Sequence, residues 1–203
     1  MTKPKFVFKF LLFLVTLNLA NAFAQTEDRP PTAEPCYEIV LQVLTASNQE
    51  SDKNAASPAL APIVKRLRTL YAFTDYRLTT TYFQRASNSL EYKSQTSDFN
   101  REANTNEPVY VEWSLKNLRP FRLNSDNRQT IQFDSFRFNA RVPVMIQTKS
   151  EDGKSSAVVS YELIGITNSR LSLKENEPTI VGSLTTSKTG GLIFLVLTVK
   201  AVE

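Results

Sequence analysis

Two triplets, Ser125-Asp126-Asn127 and Lys188-Thr189-Gly190, have the composition of the S-D-N and K-T-G elements that assist acyl transfer to a serine. That chemistry needs a serine nucleophile with a lysine one helical turn later, so that the amine sits beside the hydroxyl. No Ser-x-x-Lys occurs in the chain, so the triplets have no nucleophile to assist. Histidine is absent altogether. Ser-His-Asp and Cys-His catalysis, H-E-x-x-H zinc sites and an imidazole pH switch are therefore excluded. The glycines are Gly153, Gly165, Gly182, Gly190 and Gly191, and none falls in a G-x-G-x-x-G or G-x-x-x-x-G-K-[ST] pattern. Without a loop whose bare backbone can approach a phosphate, the corresponding dinucleotide and nucleotide enzymes are excluded too.

Three acids, Glu112, Asp134 and Glu162, fall within strand patterns. Paired carboxylates can hydrolyse glycosides when the fold brings them together. Solvent-facing positions for Glu112 and Glu162, and a bulge position for Asp134, account for all three without catalysis. Arg137 and Arg141 point one way along their strand with Asn139 between them. Such a stripe can bind anions, or nucleic acid if aromatics are free to stack. Here Phe136 and Phe138 alternate with the arginines and so face the opposite side, toward a core. Cys36 has no second cysteine to pair with inside the chain. It reads as a small hydrophobe at the start of the first strand, or as a thiol for a second chain. Ala33-Glu34-Pro35 before it lacks the small and apolar residues of a lipid-acceptor site. The sequence thus assigns no catalytic, cofactor-binding or metal-ligating residue, and no cofactor.

The elements that would position such residues begin after a leader. Lys3 and Lys5 precede an apolar run from Phe10 to Ala20, followed by Ala20-Asn21-Ala22 and Ala22-Phe23-Ala24. A basic start, a short apolar stretch and an A-x-A site make residues 1–24 an expected secretory signal peptide, cleaved after Ala22 or Ala24. The run falls short of the roughly 20 apolar residues a membrane span needs. Lys3, Lys5 and Lys9 would leave with it, so 24 bases fall to 21 against 20 acids, a net charge near +1. The basic pI therefore belongs mostly to the leader, and a nucleic-acid partner is not expected. Residues 25–35 (QTEDRPPTAEP) read as a proline-rich linker, leaving 36–203 as a single β-rich domain with candidate sub-modules 36–97 and 108–203.

Within that domain, Cys36–Thr45 alternates with apolar residues on both faces, as a central strand does. Leu60, Ile63, Val64, Leu67, Leu70 and Tyr71 recur at helical spacing, opposite Lys65, Arg66 and Arg68. With Ser57 as cap and prolines at 58 and 62, they predict one amphipathic helix over about 58–72. From Asp75 onward only strand patterns occur: Tyr76–Arg85, Leu90–Thr96, Val109–Lys116, Ile131–Val142, Ala157–Ile166, Ser169–Leu173, Thr179–Thr185 and Leu192–Val202. A change of parity near Asp134-Ser135 predicts a β-bulge, and Gly190-Gly191 predicts a tight hairpin. The order strand, helix, then strands only gives an α+β fold, a mixed or antiparallel sheet or sheets with one covering helix. The opening strand–helix–strand fits a right-handed crossover that places Cys36–Thr45 and Tyr76–Arg85 in one sheet. Whether later strands extend that sheet or form a second is open at this point.

The segment Asn176-Glu177-Pro178-Thr179-Ile180-Val181-Gly182, continuing through Lys188-Thr189-Gly190-Gly191 to Leu192–Val199, resembles the closing hairpin of outer-membrane secretin core domains over about thirty residues. The whole layout resembles small exported bacterial proteins of no assigned function. Neither resemblance supplies a catalytic residue. Together with the missing catalytic chemistry they imply a non-enzymatic exported protein of the periplasm or outer envelope of a Gram-negative-type bacterium. It would act in binding or assembly, accessory to a secretin-type machine, through a protein partner or self-association, with only indirect membrane contact. The alternative is a periplasmic binding module for a small apolar ligand or lipid, with Tyr82, Trp113 and Phe138 lining a cavity.

Overall fold

In the computed structural model the described residues are 35–48, 58–97, 107–122, 129–149, 155–185 and 191–202. The expected signal peptide, the expected linker up to Glu34, Ser57 as the expected cap, the Ser125-Asp126-Asn127 triplet and residues 186–190 of the expected hairpin turn lie outside them.

The strand β1 (Cys36–Ser47) buries Tyr37, Ile39, Leu41 and Val43 on one face and, toward its end, Leu44 and Ala46 on the other. It pairs antiparallel with β2 (Asp75–Ala86) on one edge and with β9 (Leu192–Val202) on the other. β9 in turn pairs with β8 (Thr179–Thr185), which gives a four-stranded antiparallel sheet in the order β2-β1-β9-β8. Strands β3 (Leu90–Thr96), β4 (Val109–Lys116), β5 (Arg119–Arg122), β6 (Gln129–Lys149) and β7 (Ser155–Lys174) form a second, five-stranded antiparallel sheet. One edge of β6 holds β5 and then β4, and its other edge holds β7 along nearly the whole length. Both sheets therefore draw strands from each side of residue 100.

The two sheets share one core. Ile39, Leu41 and Val43 of β1 and Leu195, Leu197 and Val199 of β9 meet Val111, Trp113, Phe136 and Phe138 of the second sheet. On its other face the first sheet offers Leu44, Ala46, Tyr76, Phe194 and Val196 to the helix. Neighbouring β9 residues thus serve different cores, which is why Leu192–Val199 is apolar without alternation. Two bulges assist the change of face. Thr79 is the extra residue in the ladder between Val43↔Thr80 and Leu44↔Leu78, so Tyr82 faces the sheet core and Tyr76 the helix. Val181 plays the same part in β8.

A 3-10 turn (Pro58–Leu60) leads into helix α1 (Ala61–Leu70), with Pro62 inside the first turn where no amide hydrogen bond is lost. It ends where Tyr71 turns extended, its amide donating to Leu67 O at 2.8 Å. Leu60, Ile63 and Leu67 are buried, but Leu70 is 64% exposed, contrary to its place in the apolar pattern. At about 100° per residue it lies about 60° to the side of Leu67, on the rim of the stripe at the last turn. β1 and β2 are neighbours in one sheet, as the pattern suggests, but they are antiparallel, so the connection is not a crossover. Ser47 lies opposite Asp75, so the chain leaves and re-enters at one end and α1 only has to cover Leu44, Ala46 and Tyr76 there.

The parity change in β6 also differs from expectation. Phe133 and Phe136 are both buried, yet β6 and β7 keep a constant register on either side, Phe133↔Leu171 and Ser135↔Ser169. A bulge would offset it. Instead, the flanking strands change face in the same row, with left-handed residues Arg170 (φ 55) on one side and Asn117 (φ 57) on the other. Asp134, between them, accepts from Asn117 Nδ2 at 2.9 Å and Arg119 Nη2 at 3.0 Å. This crease merges the two predicted strands 157–166 and 169–173 into one, β7.

Candidate functional site

Sending Phe136, Phe138 and Ala140 into the core leaves Arg137, Asn139 and Arg141 on the outer face of the second sheet. The ladder fixes their neighbours. Tyr110, Arg141 and Leu163 form one row, Glu112, Asn139 and Gly165 the next, Ser114, Arg137 and Thr167 a third. Of these, Tyr110, Glu112, Arg137, Asn139, Arg141 and Leu163 line an open groove of about 430 Å³ together with Lys93 and Ser94 of β3. Lys93 Nζ lies 3.8 Å from Glu112 Oε1, both side chains more than half exposed. Asn139, with its amide turned to suit its neighbours, donates to Phe138 O and accepts from Arg137 Nε, each at 3.1 Å. Gly165 makes room for it: a Cβ there would overlap the Asn139 amide and lie 2.8 Å from Phe138 O.

Beyond Arg141 no third strand among the described residues pairs with β6, and the β6–β7 ladder continues alone from Val142↔Glu162 to Lys149↔Ser155. This two-stranded ribbon exposes apolar side chains of both parities. Met145, Ile146 and Val158 are 44%, 46% and 49% accessible. At its base, Tyr161 packs against Tyr110 with ring centroids 5.7 Å apart and donates to Glu107 Oε2 at 3.4 Å. Desolvation, and after it the Glu107 carboxylate, raise the Tyr161 hydroxyl above its usual 10.0.

A second groove, about 540 Å³, runs beside α1 past Val64, Lys65, Arg68, Thr69, Asp75 and Tyr76. Arg68 sits over the Tyr76 ring, 5.9 Å from its centroid, and Lys65 and Arg66 are exposed beside it. Asp75 Oδ2 is buried there with no hydrogen-bond partner.

The carboxylates singled out by sequence do not form one site. Glu112 faces the groove opposite Asn139, Asp134 is held in the crease, and Glu162 lies opposite Val142. Among the described residues no group of three or more His, Cys, Asp or Glu could hold a metal ion. Cys36 is half-buried with a free thiol. Tyr82, Trp113 and Phe138 are 6%, 0% and 0% exposed and belong to the inter-sheet core. Among the described residues, no helix is long and apolar enough to cross a membrane. The roles of Gly165 and the ribbon escape sequence reading. The available signal was weak, consecutive apolar residues at Met145-Ile146 and Val158-Val159 with no partner strand to use both faces. Comparison with family models, with curated proteins and with solved structures finds no match to the chain.

Proposed function

We propose that the chain is a non-enzymatic exported protein of the bacterial envelope that works by binding or assembly, through self-association or a protein partner, accessory to a secretin-type machine. The observation that carries this reading is the β6–β7 ribbon. Two strands alone are marginal in water, and here both faces present apolar side chains to solvent. Natural proteins usually guard such edges with charge, proline or a covering element. From Ser155 to Thr167, β7 has Glu162 as its one charge and pairs only with β6 among the described residues. A surface of this kind suits contact with another chain. Export and the secretin-like hairpin rest on residues 1–24 and 176–199 as read from sequence. The rival reading, a module for a small apolar ligand or lipid, draws no support from Tyr82, Trp113 and Phe138, whose side chains fill the core. The test is site-specific photocrosslinking in the source cell. A crosslinker at Val158 is expected to give discrete protein adducts, to itself or to an envelope protein, and one at Lys65 is not. Absence of adducts from both Val158 and Ile146 would refute the assembly role.

A further inference from the structure

We propose that the groove on the outer face of the second sheet docks an acidic, extended stretch of a partner protein, held by Arg137 and Arg141 through its carboxylates. The inference rests on the binding reading above and gives that partner a chemistry. The groove brings together Lys93, Arg137 and Arg141 against a single acid, Glu112, and it is Lys93 that lies beside that acid. Among the described residues neither arginine has an ion-pair partner.

Arg137 is also pre-positioned. Its Nε is taken by Asn139, which leaves the terminal fork free to grip a carboxylate bidentately. Asn139 is fixed by its bond to Phe138 O, in space that exists because residue 165 has no side chain. A guanidinium oriented in advance loses less freedom on binding than one that is merely exposed.

The spacing argues for an extended ligand. Four residues along a strand separate the Cα atoms of Arg137 and Arg141 by about 13 Å, more than one compact anion spans. A peptide with several acids can reach both. Leu163 (65% exposed) and Tyr110 (41%) add apolar contact beside the charges, which suits a peptide's aliphatic and methylene groups. Nucleic acid fits less well. Tyr110 is engaged with Tyr161, and Phe136 and Phe138 are buried, so these rings are not free to stack on bases.

The test is fluorescence anisotropy on the full chain without its leader. The probes are a labelled peptide with glutamate at every second position, the same peptide with glutamine, inorganic phosphate as competitor, an oligothymidylate, and vesicles containing anionic lipid. The glutamate peptide is expected to bind, to weaken as salt rises, and to outbind the glutamine peptide about tenfold or more. Arg137→Gln with Arg141→Gln should cut affinity about tenfold, while Lys65→Gln on the helix should leave it unchanged. Asn139→Ala should weaken the peptide in the wild-type background but have no effect once residue 137 is glutamine, which a merely structural role would not produce. Equal binding of the two peptides, or indifference to the arginine pair, would overturn the proposal. Tighter binding of oligothymidylate or of the vesicles would overturn it in favour of nucleic acid or a membrane surface, and displacement by equimolar phosphate in favour of a small anion. Adducts from Val158 without peptide binding would remove this site alone, and peptide binding without such adducts would remove the ribbon's role alone.

Discussion

Tyr37 is fully buried between the sheets, and its hydroxyl has no hydrogen-bond partner. A buried, unpaired hydroxyl costs free energy that a hydrogen atom would not, so Tyr37→Phe should be neutral or stabilising by about 1 kcal/mol in urea unfolding. The same burial, reinforced by the Glu175 carboxylate, raises its pKa above 10.0. Tyr76 is raised as well, by desolvation, against the opposing pull of Arg68. A raised value in the folded state means that the unfolded chain loses these protons first. Their contribution is therefore complete below 10.0 and is lost as pH rises through the higher folded values. Melts at pH 8 and about pH 10.5 should show stability falling, and the Tyr37→Phe, Tyr76→Phe double variant should fall less. An equal decline in both proteins would refute the assignment. At this scale alternation alone separated Arg137 and Arg141 from Phe136 and Phe138. Gly165 was not legible, because what requires it is Asn139 on the neighbouring strand, 26 positions away in the chain.

The helix was the most legible element, since its 3.6-residue period has no competitor elsewhere in the chain. Leu67 is 1% exposed under the sheet, and Arg66 is exposed. Leu67→Asp would bury an unpaired charge at a cost of several kcal/mol, a large share of a total stability of about 5–15 kcal/mol. Arg66→Asp should stay within about 0.5 kcal/mol of wild type. Urea melts of the two variants check this, and equal losses would show that the helix does not dock through Leu67. The long strands were less legible. Thr167-Asn168 reads as a break between two strands, but β7 runs on through it and through the left-handed Arg170 at the crease. β5 was missed because its four residues include Pro120 and two arginines, and only its ladder to Gln129–Gln132 makes it a strand.

Across the molecule, the α+β class and the single helix followed from the order of patterns, while the division into two sheets did not. Pairing partners far apart in sequence leave no local trace, and β1 finds β9 across the whole domain. Gly182 shows how closely the two sheets meet: a Cβ there would come 2.6 Å from Ile166 Cδ1 of β7, and Asn168 Nδ2 donates to the bulged Val181 O beside it. β9 is the strand both cores share, supplying Leu195, Leu197 and Val199 to one and Phe194 and Val196 to the other. Truncation after Gly191 should therefore abolish cooperative unfolding and leave β1 with one open edge. Retention of a single sharp urea transition would refute the shared role.

The pairing of β1 with β9 also sets a clock. The two strands are separated by 192 − 47 = 145 positions. A chain emerging from its N-terminus at roughly 5–20 residues per second leaves β1 waiting roughly 7–30 s for its neighbour. Contacts of such long sequence separation form slowly even when the chain is complete. During that interval β1 has β2 alone as a neighbour, so the sheet β2-β1-β9-β8 cannot close until β9 is made.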